Sequence, residues 1–400
     1  MSIHSNRTAT KVYPLLIREE AARCILCYDA PCSAACPAGT DPGKFIRSLR
    51  FDNPKGAIET IKTNNVLGGV CASVCPSKSY CEGACSRSAL DRPIPIRKIQ
   101  EYLTEIEREM RLHFLKKGNP NGKKVVVIGS GPAGIASAAA LNEAGCDVTV
   151  YERSEKFGGY LSYGIPTDKL TQEIVDYEIG EIRNAGVSFV NCTEIGRNLT
   201  VEELLSNGTD AIVWACGLQN AKELDIPGNR LQHVESGISY LQKAKESPEN
   251  LYTGNRVIVI GGGDVAMDAA RIAKKNGAEI VNIVYRRTEK EMPAYIDERE
   301  HTRKAGVNLY VRFKPLEIDG QNSVESVTFE SLDNGDTLQM KCDHCILAIG
   351  QSCAYQIDTL KQEEKGIFVA GDIVSNDKTV VDAVRSGKEA AAKVQQYLMK

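Results

Sequence analysis

KKVVVIGSGPAGIASAAALNEAGCDVTVYER, residues 123–153, decides the fold. Val125 to Ile128 is an apolar run of strand length, Gly129-Ser-Gly131-Pro-Ala133-Gly134 is a glycine turn, and Ile135 to Ala144 is a helix of mostly small residues. A second strand, Val148 to Tyr151, stops at Glu152. In such a strand-turn-helix-strand unit the glycines permit the tight turn, the close approach of a pyrophosphate and close helix-strand packing. The closing acid can hold a ribose hydroxyl pair. A glycine triplet alone would be a weak signal, but here each surrounding part is present.

The pattern returns in NRVIVIGGGDVAMDAARIAKKNGAEIVNIVYRR, residues 255–287. Gly261-Gly-Gly263-Asp264-Val-Ala266 joins the strand Val257 to Ile260 to a helix, and the second strand, Ile280 to Tyr285, ends in Arg286-Arg287 instead of an acid. A carboxylate there favours a free 2'-hydroxyl, whereas guanidinium groups suit a 2'-phosphate. The second site is therefore expected to take NADPH in preference to NADH, the bland alternative being a solvated arginine pair. Three more strand-like runs, Ala211 to Gly217, Cys345 to Gly350 and Gly366 to Asp372, are each stopped by glycine. The last places Gly371-Asp372 ahead of a helix expected from Thr379-Val380 through Tyr397, where the acid can bind a ribityl hydroxyl and the helix start can face a flavin edge. Gly350 and Gly371 join the candidate cofactor-binding positions.

The cysteines point elsewhere. Eight of 14 lie between Cys24 and Cys85, as Cys24-x2-Cys27-x4-Cys32-x3-Cys36-Pro37 and Cys71-x3-Cys75-Pro76-x4-Cys81-x3-Cys85. In a reducing compartment such clustering favours metal over disulfides, and soft thiolates select zinc or iron-sulfur. The Cys-Pro in each group and a count that suits two cubanes favour iron-sulfur, with two structural zinc sites as the alternative. Between the groups, Asp41 is a plausible cap for a helix bearing Phe45, Ile46 and Leu49, and Pro54 opens another bearing Ala57, Ile58 and Ile61. Cys342-x2-Cys345 has redox spacing but enters an apolar strand, so it reads as a buried pair.

With 400 residues, Lys+Arg 49 against Asp+Glu 52 and a net charge of −3, the chain has no basic field to recruit nucleic acid or acidic lipid. Its apolar runs are strand-sized, and the N-terminus lacks the apolar stretch of a secretory signal, so no membrane span is expected and a cytoplasmic location is. The expected fold class is α/β. A helical two-cluster domain (1–115) precedes an FAD-binding domain (120–240 and 355–400), which is interrupted by an NAD(P)H-binding domain (241–354).

Taken together, CxLCYDAPCSAACPAGTDPGKFIRS, GGVCASVCPSKSYCEGAC, VIGSGPAG, YGIP, IGGGDVAMD and AGDIVSNDKTVVDAVRSGKEAA resemble the flavin and iron-sulfur subunit of bacterial dihydropyrimidine dehydrogenase, and more broadly the small subunit of glutamate synthase. The resemblance covers about residues 15–400 and implies two [4Fe-4S] clusters. One would be held by Cys24, Cys27, Cys32 and Cys85, the other by Cys36, Cys75, Cys81 and Gln100, the glutamine after Pro93-Ile-Pro-Ile. Cysteine counting alone would give Cys71 that last place. The resemblance also places Gly159, Tyr160 and Lys169 around FAD beside Glu152, with Asp372 and Thr379-Val380 closing over it. It implies electron transfer from NADPH or NADH through FAD and both clusters to an FMN-containing, iron-sulfur-bearing partner in a hetero-oligomer, where uracil or thymine is interconverted with its dihydro form. The two-subunit bacterial members of that branch are NAD-dependent, a departure from the Arg286-Arg287 reading. A glutamate synthase small subunit or a related oxidoreductase such as sulfide dehydrogenase would share these fingerprints. From another class, a flavin reductase with a structural zinc head is the competing reading.

Overall fold

A computed structural model describes residues 14–355, 362–375 and 378–400. The first residues, where a secretory signal was sought, lie outside them, as do short stretches of the 355–400 segment assigned to the FAD domain. The chain forms two compact units. Unit 1 comprises residues 1–158, 172–217 and 358–400, and unit 2 comprises 159–171 and 218–357.

Unit 1 begins with a helical head: α1 (Pro14–Ala22), α2 (Pro31–Ala34), α3 (Pro42–Arg50), α4 (Pro54–Asn64), α5 (Gly68–Val74) and α6 (Ile96–Met110). The two helices expected between the cysteine groups form where their caps dictate. Asp41 Oδ1 accepts from Lys44 N at 3.0 Å and Asn53 Oδ1 from Gly56 N at 2.9 Å, and proline opens each helix where an N–H would be unpaired anyway. Phe45, Ile46, Leu49, Ala57, Ile58 and Ile61 turn inward onto one core with Ile99 and Leu103 of α6. Cys24, Cys32, Cys81 and Cys85 pack against this core, so the thiols sit on an apolar floor.

The nucleotide-binding part of unit 1 is built on β1 (Lys124–Ile128), α7 (Pro132–Glu143), β2 (Asp147–Tyr151), α9 (Gln172–Asn184), β3 (Ser188–Val190), α10 (Val201–Ser206) and β4 (Ala211–Trp214), while α8 (Tyr160–Tyr163) falls in unit 2. Its sheet, ordered β15-β4-β1-β2-β3, is wholly parallel, with β15 at Ile367–Val369. The order reverses at β1, which puts the ligand crevice at the carboxyl ends of β1 and β4. The long C-terminal helix, α14 (Val380–Leu398), lies on α7. Gly387 permits the close approach, because a Cβ there would stand 2.2 Å from Ala133 O, and Ser137 Oγ donates to Gly387 O at 2.8 Å.

Unit 2 repeats the plan with β5 (Asn220–Ala221), β6 (Val234–Ser236), α11 (Gly237–Glu246), β7 (Arg256–Ile260), α12 (Asp264–Lys275), β8 (Ile280–Tyr285), α13 (Ile296–Lys304) and β9 (Asn308–Val311). A small antiparallel sheet follows, β10 (Phe313–Asp319), β11 (Ser326–Ser331) and β12 (Thr337–Lys341), then β13 (His344–Leu347) and β14 (Gln351–Ser352). The parallel sheet is ordered β6-β13-β7-β8-β9.

One stretch falls differently from the expected division. Residues 218–240, placed with the FAD domain by sequence, belong to unit 2, because Val234–Ser236 pairs with β13 and α11 packs on α12. Residues 1–115 share unit 1 with the first nucleotide fingerprint. The fold class and the insertion of one nucleotide domain into the other are as expected. Among the described residues no helix is long and apolar enough to cross a membrane.

Candidate functional site

In the first fingerprint, Gly129 has φ +103°, and a Cβ there would lie 2.6 Å from Ala215 O. A Cβ at Gly134 would lie 1.9 Å from Gly129 O, so the turn and the helix it feeds are closed to side chains. Gly131 is the opposite case: a Cβ would meet nothing within 4 Å. That open ground at the start of α7 is where a pyrophosphate would approach the helix N–H groups. Glu152, 7% exposed, accepts from Ser130 N (3.0 Å) and Ser130 Oγ (2.7 Å) through one oxygen and from Ser154 N (2.9 Å) through the other. The acid at the strand end thus braces the glycine loop.

Across the sheet, Gly371 N is held by Ser386 Oγ at 2.8 Å, and burial pushes the following Asp372 carboxyl up to about 6, with Asp382 adding to the shift and Lys378 opposing it. Thr379 caps α14 by accepting from Asp382 N at 3.1 Å, and Val380 opens the helix. Unit 1 therefore gathers Gly129, Gly131, Ala133, Gly134, Glu152, Gly371, Asp372, Thr379 and Val380 at one pair of helix starts.

Gly159, Tyr160 and Lys169, expected around FAD, cluster with unit 2. Lys169 Nζ pairs with Asp268 Oδ1 and with Glu298 Oε2, each at 2.6 Å, and Arg271 joins both acids. Tyr160 OH accepts from the Gln351 side-chain amide. The sequence marks these residues only by resemblance. Their partners lie about a hundred positions or more away, on α12, α13 and β14, and carry no local signature.

The second fingerprint repeats the geometry of the first. A Cβ on Gly261 would lie 2.2 Å from Ala348 O, whereas one on Gly263 would meet nothing within 4 Å. Ala266 fits as the small third residue, fully buried. Asp264, the first residue of α12, accepts from Tyr295 N at 3.2 Å, and burial pushes its carboxyl up to about 6 against the pull of Lys169. Arg286 and Arg287 follow β8, both exposed. Of the nearby acids, Glu289 pairs with Arg299 and Arg303, while Glu291 forms a capping box with Thr288 and also feels the charge of Arg287. Gly350, exposed with φ +106°, accepts from Lys222 N through its carbonyl at 3.0 Å.

Cys24, Cys27, Cys32 and Cys85 line a single cavity with Ile46 and Ile96. The loop over it holds Leu26 and Ala30 in the left-handed region (φ 54° and 38°), strain of the kind stored at sites the rest of the fold over-determines. Arg50 anchors the loop through Cys24 O at 2.6 Å, and Ile94 N points at Cys85 Sγ at 3.5 Å. Burial pushes Cys24 up and Cys32 up to about 11, the adjoining thiols adding to it. In the second group burial pushes Cys71 and Cys81 up to about 12 and Cys75 higher, with Cys36 contributing to each. Thiols held neutral by an apolar pocket ionise when a cation supplies the missing charge, so the donor set fits thiolate-ligated metal. Among the described residues no three Cys, His, Asp or Glu side chains converge to hold a single ion; the first group frames a cavity instead.

Gln100 is buried, and its amide nitrogen donates to Gly68 O at 2.7 Å, on the helix that carries Cys71. Gln100 thus touches the start of the helix that carries Cys71. Cys342 and Cys345 are buried and both pushed up, the reverse of a reactive thiol pair.

Residues 4–112 match the family described as dihydropyrimidine dehydrogenase domain II, 4Fe-4S cluster, and residues 123–387 match pyridine nucleotide-disulphide oxidoreductase. The chain is 40% identical to the NAD-dependent dihydropyrimidine dehydrogenase subunit PreT of Escherichia coli K12, with 96% of this chain and 95% of that one covered. It is 28% identical to the glutamate synthase [NADPH] small chain of Azospirillum brasilense, over 95% of this chain and 88% of that one. In fold it is similar to Mycobacterium tuberculosis FprA in complex with NADPH, with TM-score 0.60 and 18% identity over 70% of this chain and 85% of that one. With an iron-sulfur head, two nucleotide fingerprints and this likeness along nearly its whole length, the chain belongs to the dihydropyrimidine dehydrogenase subunit family of NAD(P)H-dependent flavin and iron-sulfur oxidoreductases.

Proposed function

We propose that this protein is the nicotinamide-oxidising, electron-exporting subunit of a dihydropyrimidine dehydrogenase, working with an FMN-containing, iron-sulfur-bearing partner that interconverts uracil or thymine with the dihydro forms. A bound flavin would split the electron pair of one hydride into single electrons, and [4Fe-4S] clusters would supply one-electron carriage. The observation that carries the reading is the pairing, within unit 1, of four cysteines on one cavity with a nucleotide fingerprint whose middle glycine faces open space.

Each element of the chain has a stated part. Gly131 and Gly263 leave room for pyrophosphates at the starts of α7 and α12, and Glu152 and Asp372 take hydroxyl groups on the flavin nucleotide. Cys24, Cys27, Cys32 and Cys85 hold one cluster; Cys36, Cys75, Cys81 and Gln100 hold the other. Arg286 and Arg287 select the 2'-phosphate of NADPH. Relatives of about 40% identity are named NAD-dependent, which makes this pair the sharpest point of difference. Beside the first cysteine group Ile25, Tyr28, Phe51 and Leu90 are exposed, a concentration of apolar surface that supports a docked partner.

Metal analysis of anaerobically purified protein tests the reading. It predicts about eight iron and about eight acid-labile sulfide per chain, with cluster absorption beside the flavin bands. Stoichiometric zinc without sulfide contradicts it and favours the structural zinc head.

A further inference from the structure

Helix α14 starts at the candidate flavin site and, about 13 Å further along its axis, presents Lys388 to the second cysteine group. Lys388 Nζ donates to Ala38 O and to Asn64 O, both at 2.8 Å. Ala38 follows the Cys36-Pro37 pair, and Asn64 ends α4. The lysine is partly buried, which holds its pKa below the ordinary value, with the charges of Cys36 and of Glu143 on α7 opposing that shift.

A second side chain of α14 reaches the same group. Asp382 Oδ2 accepts from Tyr80 OH at 2.7 Å, and Tyr80 directly precedes Cys81. One helix therefore grips both the loop carrying Cys36 and the loop carrying Cys81; the charge of Arg385 on that helix is paired with Asp382 at 3.0 Å, whereas Lys388 brings its charge to the Cys36 loop against carbonyls alone. A cation beside a cluster stabilises its more negative, reduced form, and hydrogen bonds and local charge are what set cluster potentials.

We propose that Lys388 is a positioning residue that ties the Cys36 loop to α14 and raises the reduction potential of the cluster on the second cysteine group. This rests on the reading above that Cys36, Cys75 and Cys81 hold a cluster.

The test is an anaerobic redox titration of the holoprotein followed by electron paramagnetic resonance, on wild type, Lys388→Gln, Lys388→Met, Lys388→Arg and Tyr80→Phe. Glutamine keeps an N–H donor for a carbonyl while removing the charge, so it assembles the cluster even if methionine does not. Lys388→Gln is expected to shift the equilibrium of one cluster about tenfold toward the oxidised form, 59 mV for a one-electron couple, and to leave the other cluster in place. Lys388→Arg restores the wild-type midpoint, and Tyr80→Phe, which removes a tether without a charge, leaves it unmoved. If both clusters are present and Lys388→Gln has wild-type midpoints, or if both midpoints move alike, the proposal is overturned. If wild type lacks the second cluster's signal, the two-cluster reading fails first and the proposal goes with it.

Discussion

Arg286 and Arg287 stand exposed after β8, with Glu289 paired to Arg299 and Arg303 and, among the described residues, neither arginine ion-paired to Glu291, which caps at Thr288. A 2'-phosphate there can accept charge-assisted bonds from either guanidinium, and such bonds contribute roughly 1.5–3 kcal/mol, so one well-formed contact gives about a tenfold to hundredfold preference. Wild type is expected to favour NADPH over NADH in kcat/KM by about tenfold or more, and the Arg286→Ala/Arg287→Ala double variant to lose that preference chiefly through KM. Unchanged selectivity in the variant, or a wild type that prefers NADH, removes the phosphate clamp and leaves the flavin and cluster assignments standing. The glycines offer a second contrast. Gly131→Val adds a side chain where nothing lies within 4 Å, at a φ of −69° that valine tolerates, so the variant should fold but bind FAD about tenfold more weakly or worse. Gly134→Val places a Cβ 1.9 Å from Gly129 O and should not fold. Comparing FAD occupancy and circular dichroism of the two variants separates a ligand-facing glycine from a packing one.

At the scale of elements, α4, α6 and α9 meet around a buried ion cluster. Lys62, 1% exposed, lies 3.1 Å from Glu178 and 3.6 Å from Glu107, and Glu178 also accepts from Gly69 N and Val70 N at the start of α5. Removing the lysine strands two carboxylates in a dry interior, which costs about 3–5 kcal/mol, so Lys62→Met should lower the thermal midpoint sharply. Burial pushes Glu107 up to about 7 from 4.5, with Lys62 opposing. Because the folded state holds this proton more tightly, its contribution to stability is full below about pH 4.5 and is lost as pH rises through about 7, on the order of 1–3 kcal/mol. Glu107→Gln should therefore gain stability over wild type between pH 5.5 and 8; a parallel pH dependence in both proteins would refute the assignment. None of this cluster was legible in the sequence. Lys62 and Glu107 look like ordinary polar residues of amphipathic helices, and their burial depends on α9, more than a hundred residues after α4. The capped helices α3 and α4 and both strand-turn-helix units were legible, because proline, Asp41, Asn53 and the glycines act on the backbone within a few residues. The partners of Lys169 were not legible because its acids come from α12 and α13, nor was β6, because a three-residue strand carries no periodicity of its own.

For the whole molecule, unit 1 joins the iron-sulfur head to the flavin fingerprint through Lys62, Lys388 and Asp382, so the head is part of the flavin unit's fold. Deleting residues 1–115 should give a chain that does not retain FAD, since it leaves Glu178 without its lysine. Cys27→Ser, which spares those contacts, should lose one cluster and keep FAD, as flavin and iron content will show. The central claim is that a hydride taken from the nicotinamide leaves this chain as single electrons through the cysteine-held clusters. It is tested most directly by adding NADPH anaerobically to the isolated protein and recording flavin absorbance together with low-temperature electron paramagnetic resonance. The account predicts bleaching of the flavin accompanied by signals of reduced [4Fe-4S] clusters. Flavin bleaching with no cluster signal, in protein shown to contain its iron and sulfide, would contradict it.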